Sequence, residues 1–247
     1  MSEKEKIARR VARAGLCSRR EAERWVAQGR IEVNGQKVDT PALRVAAEDV
    51  VVVDGKELAV KEPARLWRYY KPAGLITTNS DEKGRQTIFD TFPSDFPRTM
   101  SVGRLDMNTE GLLLLTNDGD LARYMELPDT GWARRYRVRA YGKVEEDKLK
   151  SLKRGITVDG VHYKSIKAEL ERQKGDNAWL FVTLTEGKNR EVRKVMEAIG
   201  LQVNRLIRVS YGPFQLGKME KGAIEEVGRK AVKSAISKDM ADKLFKK

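Results

Sequence analysis

Residues 102–119 read VGRLDMNTEGLLLLTNDG, and the reading of this stretch decides the fold. Leu112, Leu113, Leu114 and Leu115 are too few for a typical helix and too uniformly apolar for a strand with one wet face. They predict a central strand covered on both faces and closed by the Asn117-Asp118-Gly119 turn. Asp106 then stands at the mouth of a core element, and an ionised acid there needs a partner or solvent. Two readings stay open. In one, Asp106 is structural, paired with Arg104 or capping the loop at Thr109; in the other it is a catalytic carboxylate, a nucleophile or base held in an electropositive cleft.

The whole chain supports an electropositive setting. Its 247 residues carry 49 Lys and Arg against 36 Asp and Glu, a formal charge of +13, with 40% hydrophobic residues. That composition predicts a folded protein with a polyanionic partner, and nucleic acid fits better than a membrane because no apolar run approaches a bilayer span. The opening MSEKEKIARR has no secretory pattern, so a cytoplasmic location is expected. One cysteine, Cys17, and one histidine, His162, supply neither a disulfide nor a usual zinc set. No usual zinc site is expected, and no paired-acid pattern typical of two-metal nucleases stands out.

Upstream, Ile7, Val11 and Ala14 predict a helix ending at Gly15, and Ser18 with Glu21 predicts a reciprocally capped second helix. RIEVNGQKV and VVVDGKEL read as strands with Asn34-Gly35 and Asp54-Gly55 turns. This small unit, residues 4–60, carries Arg9, Arg10, Arg13, Arg19, Arg20, Arg24 and Arg30, which read equally as a phosphate-facing surface or as a solvated face neutralised by glutamates. Residues 61–66, with Pro63, form a linker about which the unit moves relative to the body. From 67 to 228 the pattern is α+β, with strands expected at 135–140, 165–170, 179–185 and 206–211 and an amphipathic helix over 191–199 capped by Asn189. Residues 229–247 form a basic tail with apolar residues at four-residue spacing, read as one helix that docks on the body or on RNA, or that frays in isolation.

Two further segments bear on chemistry. In ARRYRVRAYG, residues 133–142, alternation places Arg135, Arg137 and Arg139 on one side and Tyr136 and Val138 on the other. Tyr136 is either core or a ring on which an extruded base stacks. In TEGKNREVRKVMEAIG, residues 185–200, Arg190, Arg193 and Lys194 crowd a helix start where cations gain nothing from the dipole, so they suggest pairing with a carboxylate or phosphate.

In this order, GRLDMNTEGLLLLTNDG, ARRYRVRAYG and GKNREVRKVMEAIG followed by VNRLIRVSYG resemble the bacterial RNA pseudouridine synthases, the family of the small-subunit rRNA synthase A and the large-subunit rRNA synthases B, E and F, nearest the B group. The resemblance spans roughly residues 4–227. It implies an S4-like RNA-binding domain followed by a pseudouridine synthase domain with a central, mainly antiparallel sheet. The implied reaction converts uridine in rRNA, large-subunit rRNA first and small-subunit rRNA as the alternative, to its C5-linked isomer without a cofactor, in a monomer. By resemblance Asp106 is the essential aspartate, Tyr136 the active-site tyrosine and Arg193 the basic residue that pairs with the aspartate. Lys71 and Pro72 fall in the opening motif. Leu206 or Ile207 supplies an apolar wall. Lys71, Arg104, Arg190 and Lys194 join the seven N-terminal arginines as expected RNA contacts. A non-catalytic ribosome-assembly factor, a metal-dependent nuclease and a DNA-binding regulator are the rival readings.

Overall fold

Local signals in the first sixty residues are strong enough to fold as read. The computed structural model describes residues 4–59 and 62–245. Helices α1 (Ile7–Arg13) and α2 (Arg19–Ala27) bury Ile7, Val11, Ala22 and Val26 against strands β1 (Ile31–Val33) and β2 (Val51–Val53). Asn34 and Asp54 take positive φ in the two turns, as such hairpins require. Ser18 Oγ accepts from the Glu21 amide at 3.1 Å, but the expected reciprocal bond is absent because Glu21 pairs with Arg24 instead. Cys17 is packed in this core.

Residues 60 and 61, where the expected linker begins, lie outside the described residues. The remainder of that segment is stitched to the body: Asn117 bonds the Arg65 amide and the Pro63 carbonyl, and Thr116 Oγ1 donates to the Arg65 carbonyl. A second tie is Arg9 on α1, which chelates the Asp120 carboxylate at 2.5 and 2.7 Å.

The body is built on β3 (Leu66–Lys71), β4 (Met100–Val102), β5 (Glu110–Thr116), α3 (Gly119–Glu126), β6 (Arg134–Tyr141), β7 (Lys167–Lys174), β8 (Asn177–Leu184), α5, β9 (Gln202–Tyr211) and β10 (Ile224–Glu226), with α4 spanning Glu146–Ser151 and α5 Glu191–Ala198. The main sheet runs β7-β8-β6-β9-β5-β3-β10, and every pairing along it is antiparallel except β5 with β9. This is the expected α+β body with a mainly antiparallel central sheet.

The four-leucine strand is covered on both faces. Leu112 and Leu114 pack toward α3 and the C-terminal helices, and Leu113 and Leu115 toward Trp67, Tyr69 and Ile88. The tail forms two helices rather than one, α6 (Arg229–Ala235) and α7 (Lys238–Phe245), with Ile236 extended between them. Ser237 causes the break: its amide donates to Tyr124 Oη and its Oγ accepts from the Met240 amide, starting a new helix. Val232, Ile236, Leu244 and Phe245 are core, so the tail docks on the body; residues 246 and 247 lie outside the described residues.

Candidate active site

The parallel contact between β5 and β9 is brief, Ile207 opposite Glu110 and Arg208 opposite Gly111. Beyond it the strands part. Gly111 makes the contact possible, since its φ is +105° and a Cβ there would lie 2.3 Å from the Arg208 carbonyl oxygen. A cavity of about 680 Å³ opens beside this split, bounded by the 103–109 loop, β6, β9 and the loop into α5.

The loop ahead of β5 is tied down carbonyl by carbonyl. Thr77 Oγ1 donates to Leu105 O (2.8 Å), the Thr109 amide to Asp106 O (2.9 Å), the Gly74 amide to Met107 O (2.8 Å) and Arg193 Nη2 to Asn108 O (2.9 Å). Lys71 Nζ lies within 3.3 Å of the carbonyls of Pro72, Asp106, Met107 and Thr109. Against this, the half-buried Asp106 carboxylate lines the cavity and makes no hydrogen bond or ion pair among the described residues. Both structural readings of Asp106 fail: it pairs with neither Arg104 nor the Thr109 hydroxyl, which is itself buried without a partner. A backbone held this firmly around an uncommitted carboxylate is a preorganised arrangement.

Tyr136, half-buried on β6, faces the same cavity, while Arg135, Arg137 and Arg139 project from the opposite face as alternation requires. Arg135 and Arg137 lie over the Phe181 and Trp179 rings of β8, at 4.1 and 4.3 Å. Leu206 supplies the apolar wall, and Ile207 points into the other core. Arg104 and Arg190 are exposed on the cavity lining, and Lys194 is half-exposed on α5 one turn on. Asn189 does not cap α5. Arg190 takes that position with φ +51° and without a side-chain bond, and Glu191 reaches back to the Lys188 amide at 2.9 Å. Burial pushes the Glu191 carboxyl above its usual range.

Two expected roles are corrected. Lys71 is fully buried and therefore makes no RNA contact; its ammonium is spent on loop carbonyls, and burial lowers its pKa to about 8. Arg193 forms no ion pair with Asp106. Its guanidinium bridges the Asn108 and Val203 carbonyls, so it steadies the aspartate's loop and acts on the carboxylate only through its field. In the N-terminal unit, Arg9, Arg10 and Arg13 converge on Glu5, and Arg30 on Asp54. Arg19 and Arg20 are exposed.

Sequence reading missed Arg208, which is 3% exposed on the cavity floor. Its signal is an arginine in the otherwise apolar run LIRV. It also missed Arg134, whose guanidinium is held by the Trp132 and Thr185 carbonyls and by Tyr211 Oη.

Known proteins share both parts of this architecture. Residues 65–198 match the family model described as RNA pseudouridylate synthase, and residues 6–51 match the S4 domain. An uncharacterized RNA pseudouridine synthase of Rickettsia felis is 44% identical over 226 residues, covering 92% of this chain and 98% of that one. The ribosomal large subunit pseudouridine synthase B of Yersinia pestis is 42% identical over 234 residues, covering 92% of this chain and 74% of its own. Among solved structures, a pseudouridylate synthase superposes with a TM-score of 0.68 at 25% identity, covering 94% of this chain and 99% of that one.

Proposed function

The chain belongs to the RNA pseudouridylate synthase family, and on that premise we propose that it isomerises one uridine of ribosomal RNA to pseudouridine, with Asp106 as the reacting carboxylate. The observation that carries this reading is the uncommitted Asp106 carboxylate on a loop whose carbonyls from Leu105 to Thr109 are each tied, in the same basic cavity as Tyr136. Large-subunit rRNA is the proposed substrate, supported by the likeness to the synthase B of Yersinia pestis.

The chemistry follows from the groups present. A uridine stacked in a helix hides its glycosidic bond, so the target nucleotide is flipped out, its flanking phosphates held by Arg104 and Arg190 at the mouth. Tyr136 supplies the face on which the uracil stacks. Asp106 either bonds to C1′ or removes the C2′ proton as the C1′–N1 bond breaks. The freed ring turns in the cavity, C5 bonds to C1′, and the C5 proton is lost while N1 gains one. The N-terminal unit serves as an RNA grip through exposed residues such as Arg19 and Arg20 rather than through the paired Arg9 and Arg13.

Incubation with unmodified large- and small-subunit rRNA, followed by single-nucleotide mapping of pseudouridine, tests this. One new site in large-subunit rRNA, lost in Asp106→Asn while RNA binding persists, is expected. Tight binding without isomerisation by the wild-type protein would replace this reading with a non-catalytic RNA-binding one.

A further inference from the structure

The cavity floor holds a cation that none of these reaction steps uses. Tyr136 on β6 is the register partner of Arg208 on β9. Directly opposed residues of an antiparallel pair project to the same face with Cβ atoms about 5 Å apart, so the Arg208 side chain rises beside the Tyr136 ring. Its Nε donates to the Leu112 carbonyl at 2.7 Å, which β9 no longer reaches once it has parted from β5. Its guanidinium carbon lies 5.0 Å from the Tyr211 ring centre.

Nη2 of Arg208 is buried and has no hydrogen-bond partner, and no carboxylate pairs with Arg208 among the described residues. Its neighbours differ. Arg205, three residues earlier, is chelated by Glu110, and Arg134 spends its donors on two carbonyls and a phenol. A buried guanidinium with idle donors is costly unless an acceptor joins it.

We propose that Arg208 is a further catalytic residue: its unpartnered Nη2, covered in the free protein, turns to the cavity when RNA binds, takes a carbonyl oxygen of the target uracil and stabilises the ring anion released when the C1′–N1 bond breaks. This rests on the uridine-isomerising reading of the site. A base carbonyl fits the floor better than a phosphate, because the exposed cations Arg104, Lys188 and Arg190 stand at the mouth and Arg208 lies beneath, beside the stacking ring.

The symmetry of the ring makes one fixed donor sufficient. Uracil turned about the line through N3 and C6 exchanges N1 with C5 and O2 with O4. A donor that meets O2 before the turn therefore meets O4 after it. Whichever route Asp106 takes, the C1′–N1 bonding pair leaves with the ring and spreads over N1, O2 and O4. In one route C1′ is bonded by an Asp106 oxygen; in the other Asp106 takes the C2′ proton and a C1′–C2′ double bond forms. When C5 gives its pair to C1′, the aspartate leaves, or the proton returns to C2′, and the ring is neutral again; the final proton shift from C5 to N1 restores the C5–C6 double bond. Positive charge already fixed on a buried side chain where the anion forms is the arrangement that lowers such a barrier most.

The test compares Arg208→Gln and Arg208→Lys with wild type in single turnover, on rRNA fragments carrying either uridine or 5-fluorouridine at the mapped site, and reads the loss of the C1′–N1 bond on both, because C5 of the fluorinated ring has no proton to pass to N1. Removing one preorganised donor of this kind lowers a rate by about 10²–10³, so Arg208→Gln should lose that much with unchanged RNA affinity, and Arg208→Lys less. Fluorine acidifies the leaving ring, so the loss in Arg208→Gln should shrink on the 5-fluoro substrate. Equal loss on both substrates would mean that Arg208 only braces the split sheet, and would overturn the assignment. A structure of wild type with the 5-fluorouridine RNA covers the case of variants that do not fold: a guanidinium more than about 3.5 Å from both ring oxygens overturns it as well. Wild type that binds both RNAs and converts neither would instead bring down the functional reading on which this one rests.

Discussion

Replacing Lys71 with methionine separates the two roles a lysine in this region can have, holding the loop or holding RNA. The ammonium serves four backbone carbonyls at 3.0–3.3 Å. An ammonium has three donors, one of them shared here, so at about 1 kcal/mol net for each bond their loss costs about 3–4 kcal/mol. Methionine fills a similar volume and carries no charge to bury. The drop in pKa from 10.5 to about 8 sets the relief at about 3 kcal/mol. The two nearly offset, and a net change of about 1 kcal/mol lowers the melting temperature by only about 2–4 °C. The loop does not escape as lightly. With the Asp106, Met107 and Thr109 carbonyls released from their shared donor, a displacement of about 1 Å at Asp106 is enough to reduce kcat about 100-fold. RNA affinity should stay within about twofold, because Lys71 is fully buried. Melting, RNA titration and single-turnover isomerisation of Lys71→Met provide the three readouts. A kcat close to wild type, or an affinity that falls in step with kcat, would refute the reasoning.

Other expectations arise from the same site. Between pH 8 and 10.5 the unfolded chain keeps the Lys71 proton and the folded one releases it, so this residue's contribution to stability rises with pH across that window. A neutral amine grips the loop carbonyls less well, so kcat should fall as pH rises through about 8, and that limb should vanish from the pH–rate profile of Lys71→Met. Gly111→Ala places a methyl against the Arg208 carbonyl in a backbone conformation alanine disfavours, and denaturant titration should show a loss of about 4 kcal/mol or more. Tyr136→Phe should retain more turnover than Tyr136→Leu if stacking dominates; equal loss in the two would place the tyrosine's contribution in its hydroxyl, and the reverse order would refute stacking.

The parts of the fold legible in sequence are those whose causes are local. Four leucines bounded by a turn can only be a doubly covered strand, Asn34-Gly35 and Asp54-Gly55 set their own hairpins, and the alternation of 135–139 sorts arginines from Tyr136 without help. Asp106 is legible as a candidate because an acid at the mouth of an apolar strand demands an explanation. Where the cause is tertiary, the sequence is silent. Lys71 looks like any basic residue before a proline until the loop that surrounds its ammonium is in place. Arg193 looks like a partner for Asp106 until the Asn108 and Val203 carbonyls claim its donors. Arg208 acquires meaning only from the parting of β5 and β9, and the tail reads as one helix because the Tyr124 hydroxyl that helps break it at Ser237 lies far away in the chain.

Asp120 receives Arg9 from α1 at 2.5 Å and Lys243 from α7 at 3.4 Å, joining an early helix and a late one to α3. During synthesis the first unit is complete long before its seat exists, and it stays untethered at this point until residue 120 has been made. The third member of the junction arrives more than a hundred residues later. Assembly at Asp120 is therefore a timer on translation: a ribosome that stops short of residue 243 leaves the Asp106 loop already encoded but the junction one cation short. Truncated chains keep the Arg9–Asp120 pair and lose Lys243 together with the Leu244 and Phe245 packing, so they should differ from complete chains most in the core of the body beside α3.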